Sequence, residues 1–169
     1  TQFKDWRAKT ATYNTKQSAY DTKSTAYDTA LADFNTKHST YRTKNTARTN
    51  LDSQKYVKSH KGTLLYRTTA ARGYSLNPAW TAANNELTTA TSQRSSALSS
   101  KNTASSEKDS AESEKDSALS SKNTSRDAYN TLVGDLNAAK RRALSKKQDT
   151  SFAVSAGGGG RGSGKGGTA

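Results

Sequence analysis

A seven-residue repeat is the feature that most restricts what this chain can fold into. Aromatic residues recur at every seventh position from residue 6 to residue 41, and from Tyr13 onward a threonine follows each of them two places later. Seven residues make two slightly underwound turns of α-helix, so this spacing is typical of a left-handed coiled coil rather than of a strand. The members of this aromatic stripe are Trp6, Tyr13, Tyr20, Tyr27, Phe34 and Tyr41.

A second repeat with the same period begins at Trp80 and is out of phase with the first. After Leu87 it becomes a cation stripe, and it ends at Tyr129 and Leu136. Because the two repeats do not share a phase, we predict that they form two separate helices. The cation stripe consists of Arg94, Lys101, Lys108, Lys115 and Lys122, and the alanine stripe, three places after the repeat positions, consists of Ala83, Ala90, Ala97, Ala104, Ala111 and Ala118.

The predicted fold is all-α, with two long heptad-repeat helices forming an antiparallel coiled-coil hairpin and a glycine-rich C-terminal tail. Asn77 and Pro78 indicate the start of the second helix, because asparagine caps free N–H groups and proline suits the first turn. The predicted segments are helix one at 1–56, a basic connector without heptads at 57–77, helix two at 78–149 and the tail at 150–169.

The register of this hairpin is predicted by placing the aromatic stripe over the alanine stripe. Each ring then faces an alanine with a constant sum of residue numbers of 124, which puts the midpoint of the hairpin at Gly62. Lysines of the cation stripe are expected to flank the rings and to form cation–π contacts. The second interpretation, which the sequence barely separates from the first, is that the aromatic stripe faces another subunit.

The low apolar content favours self-assembly, because only 30% of the residues are hydrophobic and an isolated copy has little to bury. In the predicted register the segment 124–150 extends past the N-terminus. We therefore expect this end of helix two to contact a neighbouring copy, giving a homo-oligomer or filament; the alternative is that it folds back onto its own hairpin. The expected subunit contacts are Tyr129, Leu132, Val133, Leu136 and Phe152.

The net charge of +13 raises a second hypothesis, in which basic residues bind nucleic acid or another polyanion through counterion release. The other interpretation of these charges is a solvated coiled-coil surface. Two groups of residues are candidate polyanion contacts. They are Lys58, Lys61, Arg67 and Arg72 in the connector, and Lys140, Arg141, Arg142, Lys146 and Lys147 in helix two.

The residue content argues against enzymatic chemistry. There is no cysteine and there are two histidines, so disulfide, zinc-finger and thiol chemistry are excluded, and we assign no catalytic, cofactor-binding or metal-binding residue and no cofactor. No apolar run is long enough for a membrane span. The start at Thr1 and the lack of methionine favour a processed chain at an extracellular surface or in a virion. The predicted function is a structural protein that assembles into a filament, shell or appendage; the alternative is a nucleocapsid-type packaging protein.

Overall fold

The computed structural model describes the backbone of residues 1–157 and the side chains of residues 1–148. Helix α1 covers Gln2–Asn50 and is followed by a 3₁₀ turn at Asp52–Gln54. Three strands come next, and the long helix α2 (Pro78–Gly157) completes the described chain. The first residues of the predicted tail thus belong to α2, and the part of the tail from 158 onward lies outside the described residues.

The chain divides into two compact units, and both contain a part of each helix. One unit comprises residues 14–117; the other comprises 1–13 and the chain from residue 118 onward. The two long helices pack against each other, in agreement with a helical hairpin. No helix of the described residues is both long and apolar enough to cross a membrane.

A small antiparallel sheet separates the two helices, so the all-α prediction is wrong for the connector. Strand β1 (Tyr56–His60) pairs with β2 (Thr63–Arg67) on one side and with β3 (Ser75–Leu76) on the other. Lys61 and Gly62 link β1 to β2 with φ of 49° and 77°, the positive values required at both central positions of a type I′ hairpin turn. Strand formation follows from the β-branched, leucine and tyrosine side chains that flank this turn.

The predicted start of α2 is confirmed. The Asn77 side-chain oxygen accepts a hydrogen bond of 3.0 Å from the backbone N–H of Ala79, which caps the helix, and Pro78 is its first residue. Asn77 also ties the helix to the connector. Its side-chain amide donates to the carbonyl oxygen of Gln54 at 2.9 Å, and its backbone N–H donates to that of Lys55 at 2.8 Å.

The threonines of α1 bond to their own helix. The hydroxyls of Thr22, Thr29, Thr36 and Thr43 each donate to the carbonyl oxygen four residues earlier, at 2.9 to 3.2 Å. This back-bonding is a common arrangement for a threonine inside a helix. The repeated threonine is therefore accounted for by local hydrogen bonding on the exposed side of α1.

The buried interior is very small. Among the described residues, the buried apolar side chains are Ala90, with 3% of its surface exposed, and Ala97, with 5%. Every ring of the aromatic stripe is half-buried rather than buried. The stability of the fold therefore depends on half-buried contacts along the line where α1 and α2 meet, which we call the seam.

Candidate functional site

Cations of α2 lie over rings of α1 along the seam, as the sequence led us to expect. Within the unit 14–117, each contact joins one member of the cation stripe to one member of the aromatic stripe. All distances are below the roughly 6 Å within which a cation is attracted to a ring face. The charged atom lies 4.8 Å from the ring centroid for Arg94 and Tyr41, 5.4 Å for Lys101 and Phe34, 5.1 Å for Lys108 and Tyr27, and 4.2 Å for Lys115 and Tyr20.

At the connector end of this series the pairing is reversed: the ring belongs to α2, and the cation follows the 3₁₀ turn after α1. Residue 55 lies two heptads after Tyr41, the last ring of the aromatic stripe, but it is a lysine. Trp80, in turn, occupies the first position of the repeat that becomes the cation stripe. The Lys55 ammonium lies 4.5 Å from the centroid of the Trp80 ring, so a cation and a ring still meet. The Trp80 indole N–H also donates to Asp52 at 2.9 Å, and Arg48 donates to the same carboxylate oxygen at 3.2 Å.

The other unit continues the same pairing with a ring in place of its last cation. Lys122 lies 4.1 Å from the centroid of Tyr13. Tyr129 follows seven places after Lys122 and stacks on Trp6, with centroids 5.7 Å apart and planes at 15°. In both units the residue numbers of each ring and its partner therefore add up to 135.

Three ion pairs join α1 to α2 along one edge of the seam. In each a lysine of α1 meets a glutamate of α2, and the residue numbers add up to 130. The charged groups are substantially exposed, so each pair stabilises the fold by less than about 1 kcal/mol and mainly favours one register over its neighbours. The pairs are Lys16 with Glu114 at 2.6 Å, Lys23 with Glu107 at 2.7 Å and Lys44 with Glu86 at 2.8 Å.

These contacts show that the predicted register, with its sum of 124, is wrong. The observed sums of 130 and 135 move α2 by about one heptad relative to α1. Gly62 lies in the turn between β1 and β2, but it is not the midpoint between the helices, as the prediction had it. Between the end of β2 at Arg67 and the start of α2 at Pro78 the chain contains a loop and β3, which lengthen the α2 side of the connection.

Chemical crosslinking tests this register directly, because the chain contains no cysteine. Ala30 and Ser100 occupy the same repeat positions as the ion-paired lysines and glutamates, and their numbers also add up to 130. A variant with cysteine at both positions is expected to crosslink within one chain when treated with a short bismaleimide. The matched control, Ala30→Cys with Gln93→Cys, is displaced by one heptad, about 10 Å along the helix, and is expected to react much less. Faster crosslinking of the control would contradict the observed register.

Residues of the two predicted packing stripes lie at the seam to different degrees. The six rings are half-buried; among the alanines, Ala90 and Ala97 are buried and the others are half-buried. His38, which was assigned no role, also lies here, stacked between Phe34 and Tyr41 at centroid distances of 5.8 and 6.3 Å.

Tyr129 belongs to an aromatic cluster within its own chain. Its ring lies 5.5 Å from that of Phe3 and 5.7 Å from that of Trp6. The expectation that the segment from 124 onward lies beyond the N-terminus is therefore wrong for residues 124–129, because the register brings residues 3 and 6 alongside residue 129. Ser125 is likewise covered: it is 8% exposed and donates a hydrogen bond to the Asp5 carboxylate.

The remaining predicted subunit contacts lie further along α2 and are largely open. Leu132 is 49% exposed and Leu136 is 67% exposed, whereas Val133 is half-buried. Leu144, further on, is 55% exposed. The side chain of Phe152 lies outside the described residues. The structure thus leaves an apolar stripe on α2, which we define as Leu132, Leu136 and Leu144.

The candidate polyanion contacts fall in two separate places. In the connector, Lys61, Arg67 and Arg72 are exposed and Lys58 is half-buried. The second group lies in the segment 139–148 of α2, where every residue is exposed. Members of this second group are Lys140, Arg141, Arg142, Lys146 and Lys147.

Two clusters were missed by reasoning from the sequence. Tyr74 was assigned no role, yet its ring has the Lys58 ammonium 6.0 Å away and the Arg67 guanidinium 5.7 Å away. Asp52 was also overlooked, although it joins Trp80 to Arg48. The strand-like pattern around Lys61 and Gly62 was the available signal for the first cluster, and the exchange of lysine and tryptophan in the repeats was the signal for the second.

Nothing in the described residues assembles the groups that a metal centre requires: no cluster of three or more potential ligands occurs there. Comparison with known proteins adds no assignment, since no family model, curated protein or solved structure matches the chain. Two exposed surfaces remain as candidates: the apolar stripe of α2 and the basic connector.

Proposed function

We propose that this chain is a non-enzymatic structural protein that assembles with copies of itself, through coiled-coil helices, into a filament, shell or appendage. The observation that carries the proposal is the exposure of the apolar stripe of α2, which follows Tyr129 along that helix. Leu132 and Leu136 follow Tyr129 at the spacing of one helix face, so the stripe continues the seam of the same molecule.

A second copy is the occupant that this continuity favours. Within its own unit α1 begins at Gln2, and its first aromatic residue, Phe3, already lies against Tyr129. Leu132 and Leu136, further along α2, remain 49% and 67% exposed in the single chain. Burying leucine side chains of this kind contributes roughly 1.5–3 kcal/mol each, which is a large gain for a chain with so small an interior.

The small interior supports the same conclusion. Among the described residues the buried apolar side chains are two alanines, so burial within one copy contributes little, whereas ordering long helices costs conformational entropy at every residue. Contacts between copies supply additional burial without new secondary structure. Helices that join end to side or head to tail produce open assemblies when the contact does not close into a ring.

Sedimentation velocity of the full chain tests this proposal. We expect the sedimentation coefficient of the natural sequence to rise with protein concentration. The variant Leu132→Gln with Leu136→Gln is expected to remove most of this rise, because two exposed apolar side chains are replaced by polar ones of similar size. Its circular dichroism is expected to stay helical, since neither leucine is covered in the single chain.

A matched control separates this stripe from general surface hydrophobicity. Leu64→Gln with Leu98→Gln changes two leucines that are also exposed, at 55% and 36%, but that lie elsewhere. This control is expected to assemble like the natural sequence. Assembly that survives in the stripe variant, or that is lost equally in the control, would contradict the role assigned to Leu132 and Leu136.

The second candidate function is nucleic-acid packaging, as in a nucleocapsid-type protein. The observation in its favour is the exposure of the basic residues in the segment 139–148 of α2. For packaging, binding to duplex DNA without sequence preference is expected to weaken steeply with salt as counterions are released. Packaging also requires the polyanion for assembly, whereas the first proposal requires assembly in its absence.

A further inference from the structure

Strand β2 forms an open edge of the connector sheet. It pairs with β1 on one side, and all five of its residues are exposed. The strand at the other edge, β3, has two residues, and so short an edge offers little to a further strand. The edge of β2 is longer and contains no proline, so its unpaired backbone groups are available to another chain.

The strand register identifies the backbone groups that are left for a partner. The two-residue turn makes His60 and Thr63 a hydrogen-bonded pair. Because bonded and non-bonded pairs alternate along an antiparallel ladder, the N–H and C=O groups of Leu64 and Tyr66 point away from β1. An extended polypeptide can bond to all four of these groups. A nucleic acid offers no alternating N–H and C=O groups, so this edge selects a polypeptide.

The side chains in the middle of this edge are apolar or aromatic. Leu64, Leu65 and Tyr66 are between 41% and 55% exposed. Strand alternation places Leu64 and Tyr66 on one face of the sheet, and Val57 of β1, the partner of Tyr66, lies on the same face. Directly opposite residues of neighbouring strands share a face, so a strand that bonds to Leu64 and Tyr66 places its own side chains beside theirs. Apolar side chains are favoured there.

Cations lie at both ends of this edge. Lys61 is in the turn before β2 and Arg67 is the last residue of β2, and both are exposed. Lys58 of β1 lies on the same face as Arg67. Between Asp52 and Glu86 the sequence contains no carboxylate to balance these charges. The charge therefore complements an acidic partner and opposes the pairing of two copies through this edge.

We propose that β2 binds an extended acidic segment of another protein by strand addition. The backbone of this segment pairs with the open edge of β2. Apolar residues in its centre lie beside Leu64 and Tyr66, and acidic residues near its ends lie beside Lys61 and Arg67. This interaction goes beyond the proposed self-assembly and uses a different part of the chain, so either proposal can fail without the other.

Fluorescence anisotropy with the labelled peptide Glu-Glu-Val-Thr-Val-Thr-Glu-Glu is the experiment. The full chain carries Leu132→Gln and Leu136→Gln, so that the proposed contact between copies does not contribute. In an antiparallel register the two valines lie opposite Leu64 and Tyr66, and glutamates reach the cations at both ends. N-methylation of both valines removes the N–H groups that face β2 and is expected to weaken binding at least about tenfold. N-methylation of both threonines, whose N–H groups face away, is the matched control and is expected to change affinity less than about threefold.

Variants of the protein test the same contact from the other side. Leu64→Pro removes an outward N–H without removing a bond to β1, and it is expected to weaken binding at least about tenfold while the circular dichroism is unchanged. Arg67→Glu is expected to weaken binding about tenfold and to recover most of it with Glu-Lys-Val-Thr-Val-Thr-Glu-Glu, which restores the opposite charges. Lys4→Gln with Lys9→Gln, at exposed positions of α1, is the charge control and is expected to change affinity less than about threefold.

Several outcomes would overturn the proposal. Equal affinity of the two N-methylated peptides would exclude pairing through the backbone. Equal binding of Val-Thr-Glu-Glu-Glu-Glu-Thr-Val, which has the same composition with its glutamates in the centre, would show that only total charge matters. Displacement by an oligothymidylate as effective as that by unlabelled peptide would assign the surface to polyanions in general. Dimers of the protein alone that the peptide dissociates would assign the edge to a second copy. Binding that is undetectable at low salt would remove the inference while leaving the self-assembly proposal untouched.

Discussion

Replacing Trp80 with alanine is expected to lower the free energy of unfolding by about 3 kcal/mol. The change removes a half-buried ring and deprives the Lys55 ammonium of its nearer ring contact, at 4.5 Å, leaving the Tyr56 ring at 5.7 Å. It also removes the indole donor to Asp52. Truncation of a fully buried tryptophan costs about 3–5 kcal/mol, and the partial burial here reduces that value.

Thermal unfolding followed by circular dichroism measures this effect. For a chain of 169 residues, a loss of about 3 kcal/mol corresponds to a fall in Tm of roughly 6–12 °C. Trp80→Phe serves as the control, because it keeps a ring under Lys55 and loses only the hydrogen bond. It is expected to cost about 1 kcal/mol. Equal Tm values for the alanine and phenylalanine variants would show that the ring contributes nothing at this position.

Replacing Asn77 with alanine is expected to lower the free energy of unfolding by about 2 kcal/mol. Asn77 is only 8% exposed, and its side chain makes two hydrogen bonds that stabilise different parts of the fold. One caps α2 through the N–H of Ala79, and the other holds α2 to the carbonyl oxygen of Gln54. Loss of a helix cap costs about 1 kcal/mol, and removing the donor from the partly buried Gln54 carbonyl oxygen costs a similar amount.

Asn77→Ser separates the two hydrogen bonds, since serine caps a helix well but lacks the amide that reaches Gln54. We expect it to recover about half of the stability lost in the alanine variant, as measured by urea denaturation at constant m-value. A serine variant as unstable as the alanine variant would place all of the effect in the bond to Gln54. One as stable as the natural sequence would place all of it in the cap.

The helices could be predicted from the sequence because their signal repeats. A period of seven that persists over several heptads specifies an α-helix and the face it buries. The lysines of the cation stripe predicted the cation–π contacts for the same reason, because they recur with the same period as the rings. Asn77 and Pro78 gave the start of α2 for the same kind of reason, since local backbone chemistry decides where a helix begins.

The register could not be obtained from the repeats alone. After a shift of α2 by seven residues, the repeat positions of α1 again face equivalent repeat positions of α2. Placing the aromatic stripe over the alanine stripe therefore favours several registers equally. Residues that break the repeat decide between them. Moving the sum from 130 to 123 would keep Lys16 opposite a glutamate, Glu107, but would place Lys23 opposite Ser100 and Lys44 opposite Ala79. Matching these lysines to the glutamates would have given the observed register.

The sheet was missed because its turn lacks the usual sequence signal. Two-residue hairpins favour Asn-Gly or Asp-Gly, and here a lysine adopts the positive φ of 49° that asparagine adopts more easily. The flanking strands are also only five residues long and exposed over much of their length. Tyr74 and its two cations come together only after β1 has paired with both neighbours, so their cluster could be predicted only by first predicting the sheet.

Negative-stain electron microscopy of the purified full chain, without added polyanion, tests the central claim of self-assembly most directly. The apolar stripe of α2 predicts regular filaments or other extended assemblies at micromolar concentration, and their loss in the Leu132→Gln, Leu136→Gln variant. Fields that contain only particles the size of one copy, in the natural sequence and across the concentration range, would contradict the proposed function.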